Sequence, residues 1–137
     1  MGIFRTRVSL KGMRGSKDCI ALIGTGVAMT VIDRILAENV GVTYTGRRRS
    51  LVSATGHKLE GEVAIVRELV VEDEVLDYEK VMVVELSGDV RKVLREIGVD
   101  DFVIIGLTTV KLAGLMPDTV TGRLKKVERF LFLVLVK

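Results

Sequence analysis

The side chains that could carry chemistry in this chain of 137 residues are few. The only histidine, His57, stands between a glycine and a lysine, with no cysteine or aspartate at the spacing of metal ligands. The only cysteine, Cys19, leads into an apolar stretch and has no histidine near it in sequence to act as its base. These residues predict neither a metal site nor a cysteine nucleophile, and we expect no cofactor.

A glycine-containing segment follows the first apolar stretch. Residues 20–32 read IALIGTGVAMTVI, so Gly24, Thr25 and Gly26 come directly after an apolar strand pattern. This segment resembles the active-site segment of the retropepsin-like (retroviral-type) aspartic proteases, in which the strand ends in Asp-Thr-Gly and a Thr-hydrophobic pair follows. Gly24 stands where that family has its catalytic aspartate.

Two further segments resemble the same family, in the family's order. Residues 54–61, ATGHKLEG, are similar to its flap hairpin, and residues 103–106, VIIG, are similar to its hydrophobic-hydrophobic-Gly element, which the active-site loop threads. The resemblance implies one domain over residues 1–137, mainly β: a closed β-barrel lobe with a flap hairpin and two or three short helices. Single lobes of this size form their site by pairing about a two-fold axis, so it also implies a homodimer.

The resemblance assigns roles to individual positions. The catalytic positions would be held by Gly24, Thr25 and Gly26. The substrate-binding positions would be held by Val27, Ala28, Val31, Thr55, Gly56, His57 and Ile104. As plain chemistry, Val31 and Ile104 are more often core residues than ligand contacts.

The missing aspartate decides the predicted activity. An aspartic protease needs two carboxylates close together, one protonated and one ionised, to activate a water and protonate the peptide carbonyl. Gly24 supplies no carboxylate, Asp18 lies roughly 20 Å away along an extended strand, and Asp33 is placed to serve a helix N-terminus. Val27 stands where the family has Ala or Ser, and its bulk could fill the vacated space. Because general acid–base assistance is worth about 10²- to 10⁴-fold, we predict negligible peptidase activity.

Three functions fit this sequence. The first is a retropepsin-like homodimer that lacks peptidase chemistry and holds an extended peptide in its groove by strand addition. The second is a homodimeric aspartic endopeptidase of which this chain is an Asp-to-Gly inactivated variant. The third is a structural or interaction dimer that uses its dimer surface or a basic loop. The altered neighbour Val27 favours natural loss of the acid over a laboratory change at position 24 alone.

Apolar periodicity and glycine positions predict the elements that hold these residues. Strands are predicted in an opening hairpin over residues 3–23, a projecting hairpin over 48–66, strands over 67–86 around an acidic turn at 72–74, and a strand over 102–106. Helices are predicted from a capping-box pattern of Thr30 and Asp33 to Gly41, from Asp89 to Gly98, and over residues 108–113. The order of strand, glycine, threonine and short helix occurs at residues 20–41 and again at 102–114. Such a repeat is expected of a lobe built from two pseudo-equivalent halves.

The end of the chain is predicted to be extended. After a turn at residues 117–122, residues 124–136 have strand character, and the run 130–136 is apolar on both faces. Such a strand is an aggregation hazard if it forms a bare edge. Pairing with a partner subunit's strand would cover it, as would burial inside one monomer, and the family resemblance favours the partner.

Composition bounds the remaining possibilities. An apolar content of 48%, rich in β-branched residues, suits one compact β-rich domain. The net charge of +3 is mild; Arg47, Arg48 and Arg49 could attract an anionic partner, although a solvated basic loop is the simpler interpretation. We do not expect nucleic-acid binding, because no recognised nucleic-acid module accompanies these arginines. The chain has a single cysteine and no secretory-signal pattern, which predicts a cytoplasmic protein. No apolar run approaches the length of a membrane-spanning helix, about 20 residues, so we expect no membrane contact.

Overall fold

The computed structural model describes residues 3–52, 56 and 58–127 of the chain. Strands are the main element, with three short helices between them. In chain order the elements are β1 Arg5–Lys11, β2 Ser16–Gly24, β3 Val31–Asp33, α1 Arg34–Val40, β4 Thr43–Val52, β5 Lys58–Val71, β6 Glu74–Val84, α2 Gly88–Glu96, β7 Val103–Gly106, α3 Leu107–Leu112, β8 Leu115–Asp118 and β9 Arg123–Lys126.

Six of these strands close into a barrel. They follow the order β1-β2-β7-β3-β6-β5, and β1 pairs again with β5, which completes the ring. Strand β4 continues the sheet from β5 outside the ring, and β8 pairs with β9 in a separate two-stranded sheet. The prediction of a mainly β chain with a closed barrel and a few short helices is confirmed.

Alternating apolar residues fill the barrel. In β1 the side chains of Thr6, Val8 and Leu10 are buried, whereas their neighbours along the strand are exposed or partly exposed. The period of two places the buried set on the inner face, and each fully buried Val, Leu or Ile stabilises the fold by about 1.5–3 kcal/mol relative to an exposed one. A second apolar cluster, with Val31 and Met82 among its buried members, forms outside this main core.

The N-caps of two helices differ from the predicted ones. Helix α1 begins after Asp33, whose carboxylate accepts a hydrogen bond from the backbone N–H of Ile35, so Asp33 and not Thr30 is its N-cap. Helix α2 begins at Gly88, and its cap is Ser87, whose hydroxyl accepts from the backbone N–H of Val90 at 3.2 Å. Both predictions misplaced the first helical residue, because several residues in a row were suitable caps.

The predicted hairpins are present. The opening hairpin is β1 and β2, the projecting hairpin is β4 and β5, and the acidic turn at residues 72–73 joins β5 to β6. Pro117 was predicted to lie in a turn but belongs to β8, and the turn is formed by residues 119–122. Of the predicted final strand, β9 covers its start; the apolar run 130–136 lies outside the described residues. Among the residues that the structure describes, no helix has the length and apolar character needed to cross a membrane.

Candidate functional site

The glycine loop, residues 24–30, connects β2 to β3 across the end of a third strand. Strand β7 lies between these two, parallel to β2 with Gly24 opposite Gly106, and antiparallel to β3 with Val31 opposite Ile104. Because β2 and β3 are not neighbours, the loop must pass over the end of β7. The two segments that resembled each other in sequence are thus side by side in the structure.

Backbone hydrogen bonds hold the glycine loop against the start of α3. The N–H of Leu107 donates to the carbonyl of Val27 at 2.8 Å, and the N–H of Thr108 donates to the carbonyl of Ala28 at 3.1 Å. The first N–H groups of a helix have no partner inside the helix, so the loop carbonyls satisfy donors that would otherwise be unpaired. The loop is therefore fixed by the fold.

Two buried threonines join the halves of this crossing. The hydroxyls of Thr30 and Thr109 lie 2.7 Å apart, and the Thr30 hydroxyl also accepts from the backbone N–H of Gly106 at 3.0 Å. Each threonine is about 2% exposed or less. The sequence analysis did not assign either residue to the site; the repeated glycine, threonine and helix pattern was the signal that could have found them.

Apolar methyl groups occupy the space beside Gly24. A Cβ atom added to Gly24 would lie 2.8 Å from Cγ2 of Ile104 and 3.0 Å from Cγ2 of Val27. An aspartate at this position would therefore require both neighbours to move. The expectation that Val27 fills the space of the missing side chain agrees with this geometry.

The other residues assigned by resemblance occupy different environments. Thr25, Gly26 and Ala28 are exposed on the glycine loop, and Val27 is partly buried. Ile104 is also partly buried, but Val31 is only 1% exposed and packs in the second apolar cluster. Val31 therefore serves the core in this chain, whereas Val27 and Ile104 are accessible.

The projecting hairpin contacts the same region through its base. Leu51 of β4 and Leu59 of β5 are register partners, and both pack against the second apolar cluster, as Val27, Met29 and Ile104 also do. Gly56 is exposed near the tip with φ of +87°, a backbone conformation that favours glycine. Thr55 and His57 lie outside the described residues.

A cleft of about 410 Å³ separates the glycine loop and α3 from strands β4 and β6. It is lined by Ala28, Met29, Arg49, Ser50, Leu51, Glu79, Lys80, Thr108, Thr109 and Leu112. Apolar, hydroxyl and charged groups converge in it, as they do in ligand sites. This cleft is the candidate functional site.

The acids nearest in sequence do not replace the missing carboxylate. The carboxylate of Asp33 is 3% exposed, accepts from the backbone N–H of Leu86 at 3.0 Å, and forms an ion pair with Arg91 at 2.6 Å. With the Ile35 N–H as a third donor, the carboxylate joins α1, the segment after β6 and α2. Asp18 lies at the opposite end of β2 from Gly24, where it pairs in register with Ser9.

Metal and thiol chemistry find no support in the described part of the chain. It contains no group of three or more His, Cys, Asp and Glu residues that could hold a metal ion. The Cys19 thiol is buried, and desolvation, assisted by the negative charge of Asp100, raises its pKa to about 12. A thiol with that pKa is not a nucleophile at neutral pH.

Comparison of the chain with protein-family models, with curated proteins and with solved structures finds no match. The function must therefore be argued from the geometry of the glycine loop and the cleft beside it.

Proposed function

We propose that this chain is a retropepsin-like homodimer that has lost peptidase chemistry and binds an extended peptide. The observation that carries the proposal is the environment of Gly24. The loop that resembles an aspartic-protease active site is held by backbone and threonine hydrogen bonds, yet the position of the acid is filled by methyl groups of Val27 and Ile104.

The absence of a carboxylate has a direct chemical consequence. Peptide hydrolysis by this mechanism needs one ionised and one protonated acid on either side of a water. In a symmetric dimer each loop would supply a glycine, and the apolar methyl groups beside it cannot accept a proton. The site can hold a peptide, but it cannot activate water.

The cleft and strand β4 offer what an extended peptide requires. Within the described residues β4 pairs with β5 alone, so its second edge has backbone groups free to bind another strand. Leu51 and Met29 supply apolar contact beside this edge, and the cleft has room for side chains. Strand addition uses main-chain hydrogen bonds for affinity and pockets for alternate side chains.

The dimer is part of the same proposal. Thr25 and Gly26 are exposed at the turn of the glycine loop, where a second copy could meet them about a two-fold axis. Sedimentation equilibrium of the intact chain tests this point, and we expect a dimer. A monomer at every accessible concentration would contradict it.

The alternative of an aspartic endopeptidase inactivated at one position is less well supported by the packing. Restoring only the aspartate would place its Cβ too close to Ile104 and Val27, whereas a recently lost acid should leave space behind. The second change at Val27 has the same implication.

Peptide binding is tested with a library of labelled extended peptides and the intact chain. We expect binding, measured by fluorescence anisotropy, and its loss in a Leu51→Glu variant, because the charge would lie at the apolar wall of the cleft. Val75→Glu is the matched control: Val75 is an exposed apolar residue opposite Val70, at the other end of β5 from the partner of Leu51. No binding by the unmodified chain, or equal loss in both variants, would contradict the proposal.

A further inference from the structure

Three consecutive arginines, Arg47, Arg48 and Arg49, lie on the exposed strand β4. All residues of this strand except Leu51 are exposed, and in the part of the chain that the structure describes β4 has a single strand partner. An open edge of this kind is a template for pairing with another extended chain. The arginines show which kind of chain would pair.

Positive charge is in excess around this edge. Arg48 pairs with Glu62 at 3.6 Å, but Glu62 is shared with Arg34 at 3.5 Å. Across residues 3–52, 56 and 58–127, neither Arg47 nor Arg49 forms an ion pair with a carboxylate.

Arg49 connects the charged edge to the cleft. Its side chain lies two residues before Leu51, on the same face of β4, and both line the cleft. Lys80 of β6 also lines the cleft, and among the described lining residues Glu79 is the only carboxylate, so these side chains have a net positive charge. A ligand lying along β4 would thus meet cations at the edge and again inside the cleft.

A ligand at this edge must pair with the strand backbone and neutralise the arginines, and three kinds of ligand meet these requirements to different extents. A second copy pairing antiparallel through residues 47–49 would set arginines opposite arginines, and like charges directly opposite destabilise a sheet. A nucleic acid would satisfy the arginines, but its phosphates offer no N–H donors to the strand carbonyls, and Tyr44 is the only aromatic residue of β4 on which a base could stack. An acidic extended peptide satisfies the backbone edge and the arginines together.

We propose that β4 takes up an extended peptide bearing acidic residues as an added strand, with carboxylates facing Arg47 and Arg49 and the next side chain on the same face in the cleft beside Leu51. This inference rests on the proposed peptide-binding function and names its ligand class. Exposed ion pairs contribute little each, and charge complementarity acts mainly on the association rate and its salt dependence. Two such pairs give an expected preference of about tenfold for the acidic peptide.

The test uses two labelled peptides of equal length and alternating apolar pattern, one with glutamate and one with glutamine at the same positions. Anisotropy titrations of the intact chain at low and high salt give both affinities. We expect the glutamate peptide to bind about tenfold more tightly at low salt, with most of the difference lost at high salt.

Variants assign the effect to β4. The double variant Arg47→Gln/Arg49→Gln should remove the preference, and Arg47→Lys/Arg49→Lys should keep most of it, with far-UV circular dichroism confirming that both fold. Arg123→Gln/Lys125→Gln removes the same charge from exposed positions of β9 and should leave the preference unchanged.

The outcomes separate this inference from the proposed function. Equal binding of both peptides, or equal effects of the β4 and β9 variants, would overturn the acidic preference and leave peptide binding intact. Failure of both peptides to bind would overturn the proposed function as well. Tighter binding of a single-stranded oligonucleotide that depends on Arg47 and Arg49 would assign the edge to nucleic acid instead.

Discussion

Two glycines, Gly24 and Gly106, lie opposite each other at the ends of paired strands and are required for different reasons. A Cβ atom on Gly106 would meet backbone atoms of the glycine loop, with the carbonyl oxygen of Ala28 and the nitrogen of Thr30 each at 2.7 Å. For a Cβ atom on Gly24, the three nearest atoms would be side-chain atoms of Ile104 and Val27. Position 106 must be glycine because the backbone of the loop crosses it. Position 24 is restricted only by the side chains that now lie beside it.

Substituting each glycine by alanine tests this contrast most strongly. Gly106→Ala should lower the free energy of unfolding by at least about 4 kcal/mol, because the backbone of the loop cannot move aside without losing its hydrogen bonds. Gly24→Ala should lower it by about 1 kcal/mol, because side chains can adjust. Urea unfolding of both variants gives the comparison, and equal losses would contradict it.

Removing the hydroxyl at Thr30 tests whether the loop is fixed to Gly106. Thr30→Val should lower the free energy of unfolding by about 2 kcal/mol, because the buried N–H of Gly106 loses its acceptor and cannot reach water. Thr108→Val, at an exposed position next to Thr109, is the matched control and should have an effect within about 0.5 kcal/mol. If both changes had the same effect, the buried hydroxyl would not hold the crossing.

A double-mutant cycle sharpens the account of Gly24. Ile104→Leu removes the branch methyl nearest to the added Cβ while keeping the side-chain volume. In that background Gly24→Ala should be less destabilising than in the native chain, with a coupling of about 1 kcal/mol in thermal or urea unfolding. Additive effects would show that Ile104 does not restrict position 24.

The turn between β5 and β6, outside the glycine loop, should make a pH-dependent contribution to stability. Glu72, in the turn between β5 and β6, accepts hydrogen bonds from the Thr6 hydroxyl at 2.8 Å and from the backbone N–H of Arg7 at 2.9 Å. Partial burial tends to raise the pKa of Glu72, but these hydrogen bonds and the Arg7 guanidinium outweigh it and lower the pKa below 4.5.

A lowered pKa means that the folded state favours the ionised carboxylate. Its stabilisation is present above the ordinary pKa of 4.5 and is lost as the pH falls through the lowered value. Glu72→Gln should therefore lower the free energy of unfolding by about 1 kcal/mol at neutral pH and by little at a pH of about 2. Asp73→Asn, at a side chain 91% exposed, is the control and should change the free energy of unfolding at neutral pH by no more than about 0.5 kcal/mol. A pH-independent effect of Glu72→Gln would refute the assignment.

Local sequence signals predicted most of the elements. Glycines such as Gly41 and Gly98, both with positive φ, marked the ends of helices, and alternating apolar residues marked the strands. The repeated pattern at 20–41 and 102–114 indicated the two segments that the structure places side by side.

Contacts between residues far apart in the chain could not be predicted from those local signals. Periodicity does not report that β1 returns to β5 to close the barrel, or that Arg91 reaches Asp33, 58 positions earlier in the chain. The role of Thr30 was misread because a threonine before a helix is equally suited to capping and to a buried hydrogen bond. The burial of Val31 likewise depends on β6, which no local pattern could place beside it.

Amide hydrolysis by the unmodified chain is the most direct test of the central claim. The chain should be incubated at acid and neutral pH with an unbiased peptide library, with products read by mass spectrometry. Beside it, a Gly24→Asp variant that also contains Val27→Ala and Ile104→Leu should be assayed in the same way. We predict no cleavage by the native chain, so that any hydrolysis is confined to the variant with a restored carboxylate. Cleavage by the native chain that statine-type inhibitors block would contradict the account.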